Sequence, residues 1–250
     1  MKNRAYKNYI FDFYGTLVDI LTDEKDPVLW DKLGQLYQAY GAAYEGDALK
    51  KAYAKHVDQA RKELIELKGV AYPEIDLAHI FNQLYVDARP QSSNSNQPED
   101  WGQLIAMVFR VLSRKHVTAY PHTKEVLAFL KEQGCRIYLL SNAQAAFTNA
   151  EIDLMALRPY FDAIYLSSDV GICKPQPEFL KQVLDDHGLN PSETVMVGND
   201  LTTDIAVAEA VGIDGILLNT FPYSRRELEN SPIKPDRVIT DIEALKTNFT

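Results

Sequence analysis

A chain of 250 residues, 46% apolar and 24% charged, is long enough for one or two packed domains and has the composition of an ordinary globular protein. Its formal charge of −9, with no basic stripe, argues against nonspecific binding to nucleic acid or to a membrane surface. Cys135 and Cys173 stand far apart and outside any metal-type spacing, which fits reduced thiols. The basic start, Met1 to Lys7, leads into an apolar run too short for a signal peptide, and no run approaches the roughly 20 apolar residues of a membrane span, so a soluble cytoplasmic protein is expected.

The first element is short and apolar, Tyr9-Ile10-Phe11, and ends abruptly in Asp12-Phe13-Tyr14-Gly15-Thr16. It reads as a buried strand whose last residues present a carboxylate just where open α/β sheets place their ligands, with Gly15 allowing a sharp turn. After Asp19 the pattern becomes helical for about a hundred residues. Four stripes recur at helical spacing: Leu29, Leu33, Leu36, Tyr37 and Tyr40; Leu49, Tyr53, Val57, Ala60, Leu64 and Leu67; Leu77, Ile80, Phe81, Leu84 and Tyr85; and Leu104, Val108, Val111 and Leu112. They predict a small four-helix bundle, with Trp30, Tyr37, Tyr40, Tyr53 and Phe81 in its core and a flexible loop from Arg89 to Asp100.

From Tyr120 onward strands and helices alternate. Helices are predicted over Thr123 to Gln133, Ala145 to Met155, Pro177 to about His187, and after Asp200. Strands are predicted over Cys135 to Leu140, Ala163 to Leu166, Thr194 to Gly198, Ile213 to Leu218 and Arg237 to Ile239. Such alternation means a parallel sheet with crossover helices, an α/β fold. In a parallel sheet the ends of successive strands lie on one edge, so Asp12, Ser141-Asn142 and Asn199-Asp200 can converge, with Lys174 on a loop beside them. Singly, each has an ordinary use: a turn or N-cap, a solvated lysine, acids in a first helical turn. Together, in this order, they describe a site for anions and a metal ion.

These residues carry a resemblance. Asp12-Phe13-Tyr14-Gly15-Thr16, Leu140-Ser141-Asn142, Lys174-Pro175 with Pro177-Glu178, and Gly198-Asn199-Asp200-Leu201-Thr202-Thr203-Asp204 resemble, in order, the four motifs of the haloacid dehalogenase-like hydrolases. The resemblance implies a Rossmann-like core of residues 1–19 and 118–250 and an inserted helical cap of residues 20–117, with joints near Asp19 to Leu21 and Val117 to Tyr120. It further implies that Asp12 attacks the substrate and forms a covalent ester, that Thr16, Ser141 and Asn142 belong to the catalytic set, and that Lys174 offsets gathered negative charge. In phosphatase members Mg²⁺ is held by the nucleophile, by the backbone carbonyl two residues on (here Tyr14) and by a fourth-motif acid. Asn199, Asp200 and Asp204 are the candidates for that acid position.

The chain departs from the phosphatase pattern in two places. Tyr14 stands where those members have an acid/base aspartate, and tyrosine there resembles the dehalogenases, which expel a halide and need no protonated leaving group. The fourth motif reads Asn199-Asp200 where an aspartate commonly follows the glycine directly. The first expectation is therefore a Mg²⁺-dependent hydrolase of a small phosphorylated metabolite. A 2-haloacid dehalogenase, with Arg61 as a possible cap arginine for the halide, and a catalytically weak binding homologue are the alternatives.

Overall fold

The computed structural model describes residues 5–89 and 98–249. Met1 to Arg4 of the basic start, and most of the predicted 89–100 loop, lie outside the described residues. In chain order, β1 (Asn8–Phe11) is followed by β2 (Val18–Thr22), then by α1 (Pro27–Ala39), α2 (Gly46–Lys68), α3 (Leu77–Ala88) and α4 (Trp101–Ser113), and by β3 (Arg114–Ala119). The rest alternates: α5 (Thr123–Glu132), β4 (Arg136–Ser141), α6 (Ala145–Leu154), β5 (Ala163–Leu166), α7 (Ser167–Val170), α8 (Pro177–Asp186), β6 (Thr194–Gly198), a π-helical turn (Leu201–Ile205) running into α9 (Ala206–Val211), β7 (Asp214–Leu218), α10 (Arg225–Asn230) and β8 (Arg237–Ile239).

Six strands form one parallel sheet in the order β5-β4-β1-β6-β7-β8. The central strands are apolar throughout because helices cover both faces. Side chains alternate between them: Tyr9, Phe11, Ile137, Leu139, Val195 and Val197 pack on one face with Val126, Leu127 and Leu130 of α5. Ile10, Tyr138, Leu140 and Met196 pack on the other with Phe179, Leu180 and Val183 of α8. The α/β fold expected from the alternation is the fold observed.

The helices between β2 and β3 have their own aromatic core. Trp30, Tyr37, Phe81 and Trp101 are buried, Tyr37 and Trp101 meet edge-on at 5.2 Å, and Tyr53 stacks on Phe81 at 5.4 Å. Pro27 opens α1 behind Asp26, whose side chain accepts from the Val28 N–H at 2.9 Å.

Three sequence readings are corrected here. The helical stretch does not begin at Asp19: β2 and β3 pair as an antiparallel ribbon, Asp19 opposite Thr118 and Ile20 opposite Val117, so both crossings between the layers run side by side. Each strand is short and half-exposed, too brief to set a clear period of two beside long helices. Leu67, assigned to the second stripe, is 82% exposed near the end of α2. The fourth stripe was misphased: Leu104 and Val111 face solvent, while Trp101, Ile105, Ala106 and Phe109 are buried. The stripe is phased away from the charged Arg110, but Arg110 is itself buried.

Candidate active site

Strand β1 lies between β4 and β6, the point where strand order reverses and where open α/β sheets form their crevice. Residue 12 follows β1 directly, and its N–H still donates to the Val197 carbonyl at 3.0 Å, which holds its backbone to the sheet. The chain then turns: the N–H groups of Leu17 and Val18 both donate to the Phe13 carbonyl. Gly15 sits at φ 83°, and a Cβ there would come within 2.6 Å of the Asn199 amide. Gly198 is constrained by space instead, since a Cβ would meet the Asp204 carboxylate at 2.3 Å. Two glycines thus let the first and fourth motifs close on each other.

Asp12 is the focus. The Lys174 ammonium donates to its Oδ1 at 2.7 Å, the Ser141 hydroxyl lies 3.2 Å from the same oxygen, and the Thr16 hydroxyl lies 3.2 Å from Oδ2. Lys174 also donates to the Leu140 carbonyl at 2.7 Å and pairs with Asp204 at 2.7 Å. Burial disfavours the Lys174 charge, but the Asp12 and Asp204 carboxylates more than offset it and hold the ammonium above its ordinary pKa. Burial pushes the Asp204 carboxyl up, against the pull of Lys174. A cavity of about 200 Å³ opens above, lined by Asp12, Tyr14, Ser141, Asn142, Lys174, Asn199, Asp200, Thr203 and Asp204.

Apart from Arg61, the structure brings the sequence-selected residues to this edge and gives several a specific local task. Asn142 grips the lysine loop through two bonds: its amide donates to the Lys174 carbonyl at 2.9 Å and accepts from the Lys174 N–H at 2.7 Å. Thr16 is fully buried and reaches both Asp12 and the Asn199 oxygen. Asp200 Oδ1 caps the π-helical turn, accepting from the N–H groups of Thr202 at 2.6 Å and Thr203 at 3.0 Å. Asp204 accepts from the Asp200 N–H at 3.1 Å and, through its salt bridge, steadies Lys174. The Tyr14 hydroxyl is committed elsewhere, to Thr148 at 3.1 Å and to Glu151.

Sequence reasoning missed the surroundings of Tyr14. Arg110 of α4 is buried, its guanidinium carbon lying 5.0 Å from the centre of the Tyr14 ring and its nitrogens on Glu151. Its signal was a lone charge in the apolar run Ile105 to Leu112. Arg110, rather than the exposed Arg61, is the arginine the helical layer brings against the first motif.

The chemistry of the donor set suits Mg²⁺. Asp12, Asn199 and Asp200 offer hard oxygens to one cavity, and two carboxylates, Asp12 and Asp204, pair with Lys174. Among the described residues no group of three His, Cys, Asp or Glu side chains forms a cage. Mg²⁺ characteristically takes one or two carboxylates and completes its shell with water and substrate oxygens.

Comparison with known proteins agrees with this geometry. A family model described as haloacid dehalogenase-like hydrolase matches residues 6–212. Among curated proteins the chain is 31% identical over 130 residues to a ribulose-1,5-bisphosphate 5-phosphatase of Halopiger xanaduensis, covering 52% of each. It is 27% identical over 191 residues to a glyceraldehyde 3-phosphate phosphatase of Pyrococcus furiosus, covering 75% of each. The chain spans between 52% and 57% of the length of the first two relatives it matches. Among solved structures, a 2-haloacid dehalogenase of Pseudomonas syringae superposes with TM-score 0.67 at 19% identity, covering 98% of both chains, and a phosphatase of the same fold from Thermococcus onnurineus with TM-score 0.61 at 18%, covering 97% of both. At these identities the superpositions speak to the fold.

Proposed function

The chain belongs to the haloacid dehalogenase-like hydrolases, and from that membership we propose that it is a Mg²⁺-dependent phosphohydrolase acting in the cytoplasm on a small phosphorylated metabolite. The observation that carries this reading is the charge imbalance of the cavity, which is lined by the carboxylates of Asp12, Asp200 and Asp204 and by the ammonium of Lys174, paired with Asp12 and Asp204. Such a site has carboxylates to spare for a cation. Relatives named for glyceraldehyde 3-phosphate and phosphoglycolate point to the same chemistry. A volume near 200 Å³ accommodates a phosphoryl group with a small leaving group rather than a drug-sized ligand.

In this reading an Asp12 oxygen attacks phosphorus as the phosphorus–oxygen bond to the alcohol breaks, the departing alkoxide takes a proton from water, and a second water hydrolyses the resulting aspartyl phosphate to inorganic phosphate and the free carboxylate. Lys174 and Ser141 hold one oxygen of the reactive carboxylate in place, and Thr16 contacts the other. Asn142 holds the lysine loop in place. Mg²⁺, held by Asp12, the Tyr14 carbonyl and Asn199 or Asp200, would screen the charge between carboxylate and phosphoryl oxygens. Residues 20–117 act as the cap over a core of 1–19 and 118–250, and α1–α4 limit access to the crevice.

A second reading, 2-haloacid dehalogenase, has one observation in its favour: Tyr14 in place of an acid, with Arg110 beside it. The experiment that separates the two measures phosphate release from a panel of phosphate esters and halide release from 2-haloacids, each with Mg²⁺ and with chelator. Phosphate release that vanishes with chelator is expected. Halide release indifferent to chelator selects the dehalogenase, and silence across both panels selects a binding homologue.

A further inference from the structure

Tyr14 occupies the position of a missing acid, yet its surroundings are those of a fastener. Its hydroxyl donates to Glu151, a carboxylate only 2% exposed. The same carboxylate takes Arg110 in a fork, Nε to Oε1 at 2.8 Å and Nη2 to Oε2 at 2.9 Å, and Arg114 Nη1 to Oε1 at 2.8 Å. The Arg110 guanidinium is sandwiched between the Tyr14 ring at 5.0 Å and the Phe147 ring at 4.6 Å. Four donors therefore converge on one carboxylate, and they come from separate parts of the chain. Tyr14 belongs to the turn after the nucleophile, Arg110 to α4, Arg114 to the first residue of the return strand β3, and Glu151 to α6, which follows the second motif.

A phenol used for proton transfer must reach the leaving oxygen and carry an exchangeable proton of suitable acidity. This one is directed to Thr148 and Glu151 instead. What it can do is fix the turn from Asp12 to Val18. One end of that turn is tied to β6 through the N–H of residue 12, and Tyr14 ties its middle to α6 and α4.

We propose that Tyr14 is a positioning residue, which with Glu151 and Arg110 locks the nucleophile's turn to the helical layer and so sets the aim of Asp12. The inference rests on the hydrolytic reading for its kinetic arm alone. Tyr14→Phe keeps the ring and its stacking with Arg110 and removes only the hydroxyl, with its bonds to Glu151 and Thr148. We expect kcat to fall about tenfold to a hundredfold, with KM nearly unchanged and the same factor for nitrophenyl phosphate as for a sugar phosphate. Misaim slows attack on phosphorus whatever leaves, whereas loss of an acid spares good leaving groups. Amide hydrogen exchange supplies a readout that needs no substrate. In Tyr14→Phe the amides of residues 13–18 should exchange at least tenfold faster, with those of β7 unchanged. A rate loss confined to the sugar phosphate, or unchanged exchange in the turn, overturns the proposal. If the unmodified protein releases no phosphate from any ester, the hydrolytic reading fails, and the exchange measurement still decides the lock.

Discussion

Two buried charge clusters lie on either side of the turn after β1, and their stoichiometry is opposite. Around Asp12, two salt-bridged carboxylates share one lysine, and a third carboxylate, Asp200, lines the same open cavity. Around Tyr14, two arginines share one carboxylate between α4 and α6. Burying ions is costly unless they are paired and hydrogen-bonded. In the second cluster both oxygens of the Glu151 carboxylate are taken by donors from the chain itself, which ties the segments together. The first keeps an excess of negative charge facing a cavity, the condition for taking up a cation and an anionic substrate bound through it. The contrast separates a group of charges kept for structure from one kept for chemistry better than burial does, since Lys174 and Glu151 are equally buried.

The sharpest way to break the contrast is Asp12→Asn. If the open cluster is chemical, turnover falls on the order of 10⁴-fold or more while the melting temperature barely moves. Retained turnover in a kinetic assay removes the covalent mechanism. Lys174→Met comes next. It takes away the one cation between Asp12 and Asp204, and turnover should drop by about 10²-fold or more. A drop under tenfold, ~1.4 kcal/mol, makes the lysine peripheral. Chelation tests the excess charge itself. Removing Mg²⁺ should abolish phosphate release, and adding it at about 100 times its Kd should stabilise the protein by about 2.7 kcal/mol in thermal unfolding, an effect that Asp12→Asn diminishes.

The cluster around Glu151 should respond in stability instead. Burial alone would raise the Glu151 carboxyl, but Arg110, Tyr14 and Arg114 hold its pKa below the usual value. A carboxyl with a depressed folded pKa contributes stability that is fully present above the unfolded value, near ~4.3, and is lost as pH falls through the folded one. Glu151→Gln should therefore cost about 3–5 kcal/mol at neutral pH, by leaving buried arginines without their counter-charge. It should also flatten the acid limb of a pH–stability curve measured by urea unfolding. An unchanged acid limb would mean that the cluster is not closed in solution.

How much of this was legible in the sequence differs between the two clusters. The open one sits at strand ends, where an apolar run stops at Asp12, Ser141 or Asn199, and where a parallel sheet guarantees a common edge. Strand order did not have to be known for those residues to be grouped. The one around Glu151 depends on the rotation of α4 and α6. A lone arginine in a helix is expected to face solvent, so the sequence phased the stripe of α4 away from Arg110, with Val111 inside, and did not show that Arg110 faces Tyr14. The ribbon of β2 and β3 escaped for a related reason: its partners Ile20 and Val117 are 97 residues apart, and neither strand is apolar enough to announce a pairing. Likewise, Asp200 and Asp204 could be nominated together from spacing, but only the turn from Leu201 to Ile205 reveals that one caps a helix and the other braces the lysine.

The register of β1 has a consequence for the order in which the molecule comes into being. Its neighbours in the sheet are Arg136 to Leu139 on one side and Thr194 to Val197 on the other. As the chain leaves the ribosome, Asp12 emerges early and must wait 129 residues for Ser141 and 162 for Lys174. The helices from Pro27 to Ser113 can assemble from local contacts in the interval, whereas the central strand stays without partners on either edge. Contacts of such sequence separation close slowly and leave an apolar strand exposed in the meantime. Refolding should accordingly be biphasic, with helical signal regained before phosphate release, and the nascent chain is most prone to aggregate after Asp12 has emerged and before β6 has.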